Sequence, residues 1–338
     1  MDIKKLVKPN IRSLRAYQAE EIPCRVKLDA NESPYGVKVF KTVKTNRYPD
    51  PEAKALRDLL AKQLKVNPEN ILHGNGSDEL IQCLITTFGG PVLFPTPTFS
   101  MYRIISQALG EKSAGIPLDD KFDLDTKEML KAVKKINPKL IFLSSPNNPT
   151  GNAFSTDRIL KIIKQSKGIV IVDEAYQAFS DKKSFIPLLN KYKSLIILRT
   201  LSKIGLAGLR VGFMIADTEI INEVNKVRLP FNLNSLSQEV AVKTLKGDKI
   251  TGSKIKLIVS ERKRLFHEMQ KIDGVLPFPS DANFILFKVE DSDTVHRMLL
   301  KSGILIRNMH GVVDGCLRVT VGTPKENGIF LKTLKDLL

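Results

Sequence analysis

A lysine that directly follows an apolar, strand-like run is chemically unusual, and this chain contains one. The run 195–198 (LIIL) leads into Thr200-Leu201-Ser202-Lys203-Ile204-Gly205-Leu206-Ala207-Gly208-Leu209-Arg210. Two hydroxyls and an arginine among flexible glycines can grip a phosphate monoester. The lysine amine can form a Schiff base with an aldehyde. Pyridoxal 5′-phosphate (PLP) carries both groups, so the spacing suits that cofactor. The alternative is a loop with a surface lysine.

Three further segments could carry chemistry. The run 168–172 (GIVIV) ends on Asp173-Glu174-Ala175-Tyr176. Open α/β sheets place ligands at the carboxyl ends of their strands. A carboxylate there can keep a pyridine nitrogen protonated, so that the ring accepts electrons; the same acid also fits a Mg²⁺ site or a helix N-cap. Ser145-Pro146-Asn147-Asn148-Pro149-Thr150-Gly151 follows the run 140–144 (LIFLS) and is a turn by composition. An asparagine in it could donate to a ring oxygen, or the segment is only a tight connection. Gly74-Asn75-Gly76-Ser77-Asp78-Glu79 precedes an apolar helical pattern. Glycines before a helix start leave N–H groups for an anion, although Asp78 and Glu79 also suit the helix dipole. The segment is neither a Walker A loop nor G-x-G-x-x-G, so a nucleotide site is not favoured.

The elements that must position these segments are legible as a pattern. Continuous apolar runs at 91–95, 140–144, 168–172, 195–198 and 211–216 read as strands buried on both faces. Helical stretches at 78–88, 124–136 and 156–166 lie between them, which argues for an α/β unit with a mostly parallel sheet. Near Ile221 the pattern changes. Helical stretches at 238–244 and 254–271 precede short strands at 283–289, 304–306 and 317–321, an α+β pattern and a second, smaller domain.

Composition narrows the classes. With 338 residues, 42% of them hydrophobic and 26% charged, the chain can bury a large core and is not intrinsically disordered. No run reaches the ~18–20 apolar residues of a membrane helix, and the start forms no apolar signal core, so a cytoplasmic protein is expected. Three scattered cysteines (Cys24, Cys83, Cys316) and four histidines without H-x-x-x-H spacing predict neither disulfides nor a metal site. The net charge of +17 permits anionic partners. The basic residues are spread along the chain and read chiefly as a solvated surface, with a nucleic-acid-binding protein as the alternative from another class.

Taken in order, these segments resemble the PLP-dependent aminotransferases of fold type I, the class I/II family, and within it the branch that acts on histidinol phosphate. The collinear set adds LDANESPYG at 28–36, RYPDP at 47–51, PTPTFSMY at 95–102, VRLPFN at 227–232 and CLRVTVGT at 316–323, so it spans nearly the whole chain. The resemblance implies the α/β fold of that family: a large domain with a mostly parallel seven-stranded sheet (30–232), a smaller α+β domain (233–338), and an N-terminal arm (1–29) that joins the small domain.

The resemblance also implies roles. Lys203 is the Schiff-base lysine and proton carrier, and Asp173 pairs with the pyridinium nitrogen. Asn148 and Tyr176 bond the ring's phenolic oxygen, and Phe99 stacks on the ring. The N–H groups of Ser77 and Asp78, with Thr200, Ser202 and Arg210, hold the phosphate. Tyr48 reaches that phosphate from the other subunit of a homodimer. Arg318 and Arg307 bind the carboxylate or phosphate of the substrate, and Tyr17 and Asn31 are further substrate contacts. The implied reaction exchanges an amino group between L-histidinol phosphate plus 2-oxoglutarate and imidazole-acetol phosphate plus L-glutamate. An aromatic amino-acid aminotransferase and a threonine-phosphate decarboxylase are alternatives on the same scaffold. Ser145, Phe99 and Phe231 depart from the more frequent Asn, Tyr and Tyr, and none removes a catalytic group.

Overall fold

The computed structural model describes residues 24–29, 31–35, 48–247 and 249–338. β1 (Val26–Lys27) precedes α1 (Lys54–Leu64), β2 (Ile71–Asn75), α2 (Ser77–Phe88), β3 (Val92–Thr96), α3 (Met101–Leu109) and β4 (Ser113–Pro117). Then come α4 (Thr126–Ile136), β5 (Leu140–Ser144), α5 (Thr156–Gln165), β6 (Ile169–Asp173), β7 (Leu195–Thr200), β8 (Val211–Ile215), α6 (Thr218–Asn225) and α7 (Ser235–Lys246). The last part holds α8 (Lys249–Met269), β9 (Leu276–Pro277), β10 (Phe284–Lys288), α9 (Ser292–Lys301), β11 (Ile304–Leu305), β12 (Arg307–Asn308), β13 (Cys316–Thr320) and α10 (Pro324–Leu337).

The continuous apolar runs do form strands buried on both faces. They lie in a seven-stranded sheet of order β2-β8-β7-β6-β5-β3-β4, parallel except for β8, which runs antiparallel to β7 and β2. Because side chains alternate across a strand, each run feeds two cores. Ile141, Leu143, Val170, Val172 and Ile197 face one layer, with Leu56 and Leu60 of α1, Met129 of α4 and Ile162 of α5. Leu140, Phe142, Ile171, Ile196 and Leu198 face the other, with Leu80 and Leu84 of α2, Tyr102 of α3 and Val224 of α6. Helix starts are fixed by side chains: Asp125 accepts from the Glu128 N–H at 3.0 Å to begin α4, and Asn234 accepts from the Ser237 N–H at 2.8 Å to begin α7.

The C-terminal part forms an antiparallel sheet of order β12-β13-β10-β9, backed by α8, α9 and α10 around Leu265, Phe287, Leu299 and Phe330. β1 pairs in parallel with β11, so the described part of the N-terminal arm lies beside this sheet's layer. One expectation changes. α7 was assigned to the small domain, but its Ala241 and Leu245 sit in the core of the large sheet. Among the described residues, no helix is long and apolar enough to cross a membrane.

A buried polar knot ties the strand β2 to the segment before α7. His73 is 2% exposed, and its Nε2 lies 3.2 Å from Arg228 Nη1. Arg228 also donates to Asn225 and Asn232, whose amide donates to Glu79 at the start of α2. Burial first, and the Arg228 cation second, depress the His73 pKa to about 4. The folded protein therefore holds His73 neutral, a stabilising effect that is complete above the ordinary value near 6.5 and lost as pH falls towards 4. We predict that acidification from pH 7.5 to 4.5 costs the parent about 2–3 kcal/mol more stability than a His73→Gln variant, by denaturant titration. Equal losses in the two proteins would contradict this.

Candidate active site

The chemistry-bearing segments converge at the carboxyl ends of β5, β6 and β7, where the sheet's parallel strands finish. Asp173 is the last residue of β6 and is 3% exposed. Its Oδ2 accepts from the Tyr102 hydroxyl at 2.7 Å, and its Oδ1 from the Ala175 N–H at 3.0 Å. Both donors are neutral, and among the described residues no lysine, arginine or histidine pairs with it. Burial therefore dominates and pushes its pKa up to about 6 despite the two hydrogen bonds. Tyr102 is wholly buried, stacks on Phe142 at 4.7 Å between centroids, and meets Phe99 edge-on at 5.6 Å.

The neighbouring acid has a different task. Glu174 is 2% exposed and receives Arg199 through Nε at 3.0 Å and Nη2 at 2.7 Å, together with the Ser184 hydroxyl and the Phe185 N–H. This pair joins the end of β6 to the end of β7, one residue before Thr200. It holds Asp173 and the lysine-bearing loop in fixed relation. Lys203 follows in a short 3-10 turn, its Nζ 5.7 Å from the centre of the Tyr176 ring.

The anion cradle assembles from three elements. Thr200 donates to the Ser202 hydroxyl at 2.9 Å, and Arg210 Nη1 reaches that hydroxyl at 3.5 Å. Arg210 Nη2 lies 3.2 Å from Asp78 Oδ2 in the first turn of α2. Gly76, with φ of +81°, brings the chain into α2 so closely that a Cβ there would lie 2.5 Å from Arg210 Nη2. Gly212 on β8 allows the same approach, since a Cβ on it would lie 2.4 Å from the Ser77 nitrogen. The first N–H groups of α2, two hydroxyls and a guanidinium thus face one small volume, a donor set suited to a phosphate dianion.

On the other side stand the residues of the smaller sheet. Arg318 donates to Asn148 Oδ1 and, through Nη2, to the Asp29 carbonyl at 3.0 Å, and its guanidinium lies 5.1 Å from the Phe284 ring centre. Arg307 is the direct register partner of Arg318 across β12 and β13. Residues so paired present their side chains on one face, and two like charges in that position favour an anion between them. Asn31 is 2% exposed, and its Nδ2 donates to the Tyr176 hydroxyl at 3.2 Å. Tyr48 is 82% exposed and stacks on Phe231 at 4.7 Å. Tyr17 lies outside the described residues. Among the described residues no cluster of His, Cys, Asp or Glu could hold a metal ion.

A family model, "Aminotransferase class I and II", matches residues 16–334. The chain belongs to the class I and II aminotransferases. A histidinol-phosphate aminotransferase of Caldanaerobacter subterraneus subsp. tengcongensis is 39% identical over 99% of both chains. One from Aquifex aeolicus is 42% identical over 98% of both. The crystal structure of the histidinol-phosphate aminotransferase from Clostridium acetobutylicum superposes with a TM-score of 0.85, at 25% identity, covering 92% of this chain and 98% of that one. The enzyme from Sinorhizobium meliloti, solved in complex with pyridoxal-5′-phosphate, superposes with a TM-score of 0.86 at 23% identity, over 98% and 97%. The fold is therefore that of the PLP-dependent fold type I enzymes. This aminotransferase also holds functional neighbours that sequence reasoning passed over. Tyr102 stood inside PTPTFSMY, three residues after Phe99 and in the first turn of α3, with nothing in the sequence to show that it meets Asp173. Arg199 and Glu174 sat beside the chosen residues, with nothing in the sequence to pair them.

The uncompensated Asp173 makes a test. Its raised pKa means that the folded protein without cofactor loses stability as pH rises from about 4 to about 6, and carries the whole cost above that. A pyridinium beside it removes the cost. At pH 8 without PLP, Asp173→Asn is predicted to melt at or above the parent, while PLP raises the parent's melting temperature far more than the variant's. A variant much less stable without PLP, or equal stabilisation of both by PLP, would contradict this.

Proposed function

We propose that this aminotransferase exchanges an amino group between L-histidinol phosphate and 2-oxoglutarate, giving imidazole-acetol phosphate and L-glutamate, with PLP as its cofactor. The observation that carries the reading is the pairing of a phosphate-type cradle and an unpaired buried carboxylate around Lys203, in a chain about 40% identical to full-length histidinol-phosphate aminotransferases. PLP when bound supplies an electron sink next to the carbon that receives the amino group.

Each residue has a task in that setting. Lys203 would hold the cofactor through its amine, and that amine is the base placed to take the proton from the donor's Cα. Asp173, oriented by Tyr102, keeps the pyridine nitrogen protonated. Asn148 and Tyr176 would hold the phenolic oxygen by hydrogen bonds, and Phe99 would pack against the ring. The N–H groups of Ser77 and Asp78, with Thr200, Ser202 and Arg210, hold the phosphate. Arg318 and Arg307 bind the donor's anion, which is a carboxylate in glutamate and a phosphate ester in histidinol phosphate; a guanidinium pair accepts either. Tyr17 completes the substrate side.

The working unit is a homodimer in which Tyr48 serves the partner's cradle. Its support is the exposed apolar patch at Tyr48, Leu229, Phe231 and Leu236, which a second copy would cover. The two sheets with their helices make two domains, with residues 24–29 belonging to the smaller and the division falling after α7. The enzyme works in the cytoplasm, and neither nucleic acid nor membrane is a partner.

The experiment is a steady-state assay of the PLP-loaded protein that follows L-glutamate formed from L-histidinol phosphate and 2-oxoglutarate. Lys203→Ala is expected to lose at least about 10²–10⁴-fold in kcat. Arg307→Gln is expected to raise KM for histidinol phosphate about tenfold, with a smaller rise for glutamate in the reverse direction. Appreciable turnover by Lys203→Ala, or no activity of the parent on histidinol phosphate, would sink the assignment.

A further inference from the structure

Asn31 was expected to touch substrate, yet its side chain is enclosed and bonded at both ends. Its backbone N–H donates to Thr320 Oγ1 at 2.9 Å, and the Thr320 hydroxyl lies 3.1 Å from Asn31 Oδ1. Its own carbonyl accepts from the Asn283 amide at 3.0 Å. A hydroxyl has one proton and two lone pairs. With Oγ1 accepting the Asn31 N–H, its proton satisfies Oδ1. In the reversed orientation of the amide, Thr320 would accept from two N–H groups and need another acceptor where it is 3% exposed. Thr320 thus fixes which way the Asn31 amide points, and Nδ2 faces the Tyr176 hydroxyl.

The consequence falls on Tyr176. Its oxygen receives the Asn31 amide, so its proton must be given elsewhere. Its ring is held edge-on against Phe284 at 5.2 Å, and Lys203 Nζ lies 5.7 Å from the ring centre. We propose that Asn31 is a positioning residue: by donating to the Tyr176 hydroxyl it directs that hydroxyl's proton to the phenolic oxygen of bound PLP, with Thr320 locking the amide. The inference rests on the PLP reading given above. It links the two sheets, because Thr320 belongs to β13, two residues from Arg318 and on the same face. The strand that carries the anion-binding arginine also sets the donor that faces the cofactor. A donor aimed at the phenolic oxygen stabilises its anionic form, and so lowers the proton affinity of the Schiff-base nitrogen that shares a proton with it.

The test titrates the visible absorption band of the PLP-loaded protein with pH, since the band reports that proton. Tyr176→Phe is expected to raise the apparent pKa by about one unit. Asn31→Gly, chosen because φ at residue 31 is +55° and glycine tolerates it, is expected to raise it by about half a unit. Thr320→Val should do the same, and Thr320→Ser should restore the parent value. In a Tyr176→Phe background, Asn31→Gly should add no further shift. A shift that persists in that background, or no shift in either Asn31→Gly or Thr320→Val while the band itself forms, would overturn the inference. If the parent forms no band with PLP, the cofactor reading fails, and the inference falls with it.

Discussion

A carboxylate without a cation beside it sits at the end of β6, and the arrangement around it follows from the need to keep it there. Burying an ionised acid is costly unless it is paired. Asp173 has only two neutral donors, and burial lifts its pKa to about 6 against their opposing effect. The fold tolerates the strain because the large sheet surrounds the position with apolar packing on both faces, and because the Glu174–Arg199 pair fastens the next residue to β7. A stable protein could replace Asp173 easily. A protein that must hold a cationic ring in one orientation could not.

The rest of the site is a matter of bringing separate parts of the chain to that point. The cradle needs the start of α2 to touch the loop after β7, which two glycines permit. The substrate side needs β13 to be joined to Leu28, Asp29 and Asn31. Backbone hydrogen bonds from Thr320 to Leu28 and from Val321 to Asn283 hold that layer together. Arg318 reaches Asn148, and Asn31 reaches Tyr176, so both of these residues are touched from the smaller sheet's layer.

The central strands were legible because a run such as LIFLS or GIVIV, apolar at every position, has few other places to go than a sheet covered on both faces. The edge strands were not. β2 reads ILHGN and β4 reads SAGIP, short and broken by glycine or polar residues, and they are strands because β8 and β3 offer them edges to pair with. Their number was carried by the resemblance, not by periodicity. In the site, Lys203, Asp173 and the cradle were visible as residue types at the ends of strands. Tyr102, Thr320 and the enclosure of Asn31 depend on side chains 71, 289 and 145 residues apart in sequence, and no local pattern signals such meetings. The layer of α7 was not legible, because its apolar face fits either core until Ala241 and Leu245 are seen against the large sheet.

The central claim is that one site built on Asp173 and Lys203 takes an amino group from a phosphate-bearing donor. Its most direct test is the absorption spectrum of the PLP-loaded protein before and after addition of L-histidinol phosphate, with no keto acid present. The account predicts loss of the yellow band and growth of the pyridoxamine phosphate form, restored by 2-oxoglutarate. A yellow band that persists at saturating histidinol phosphate would contradict it.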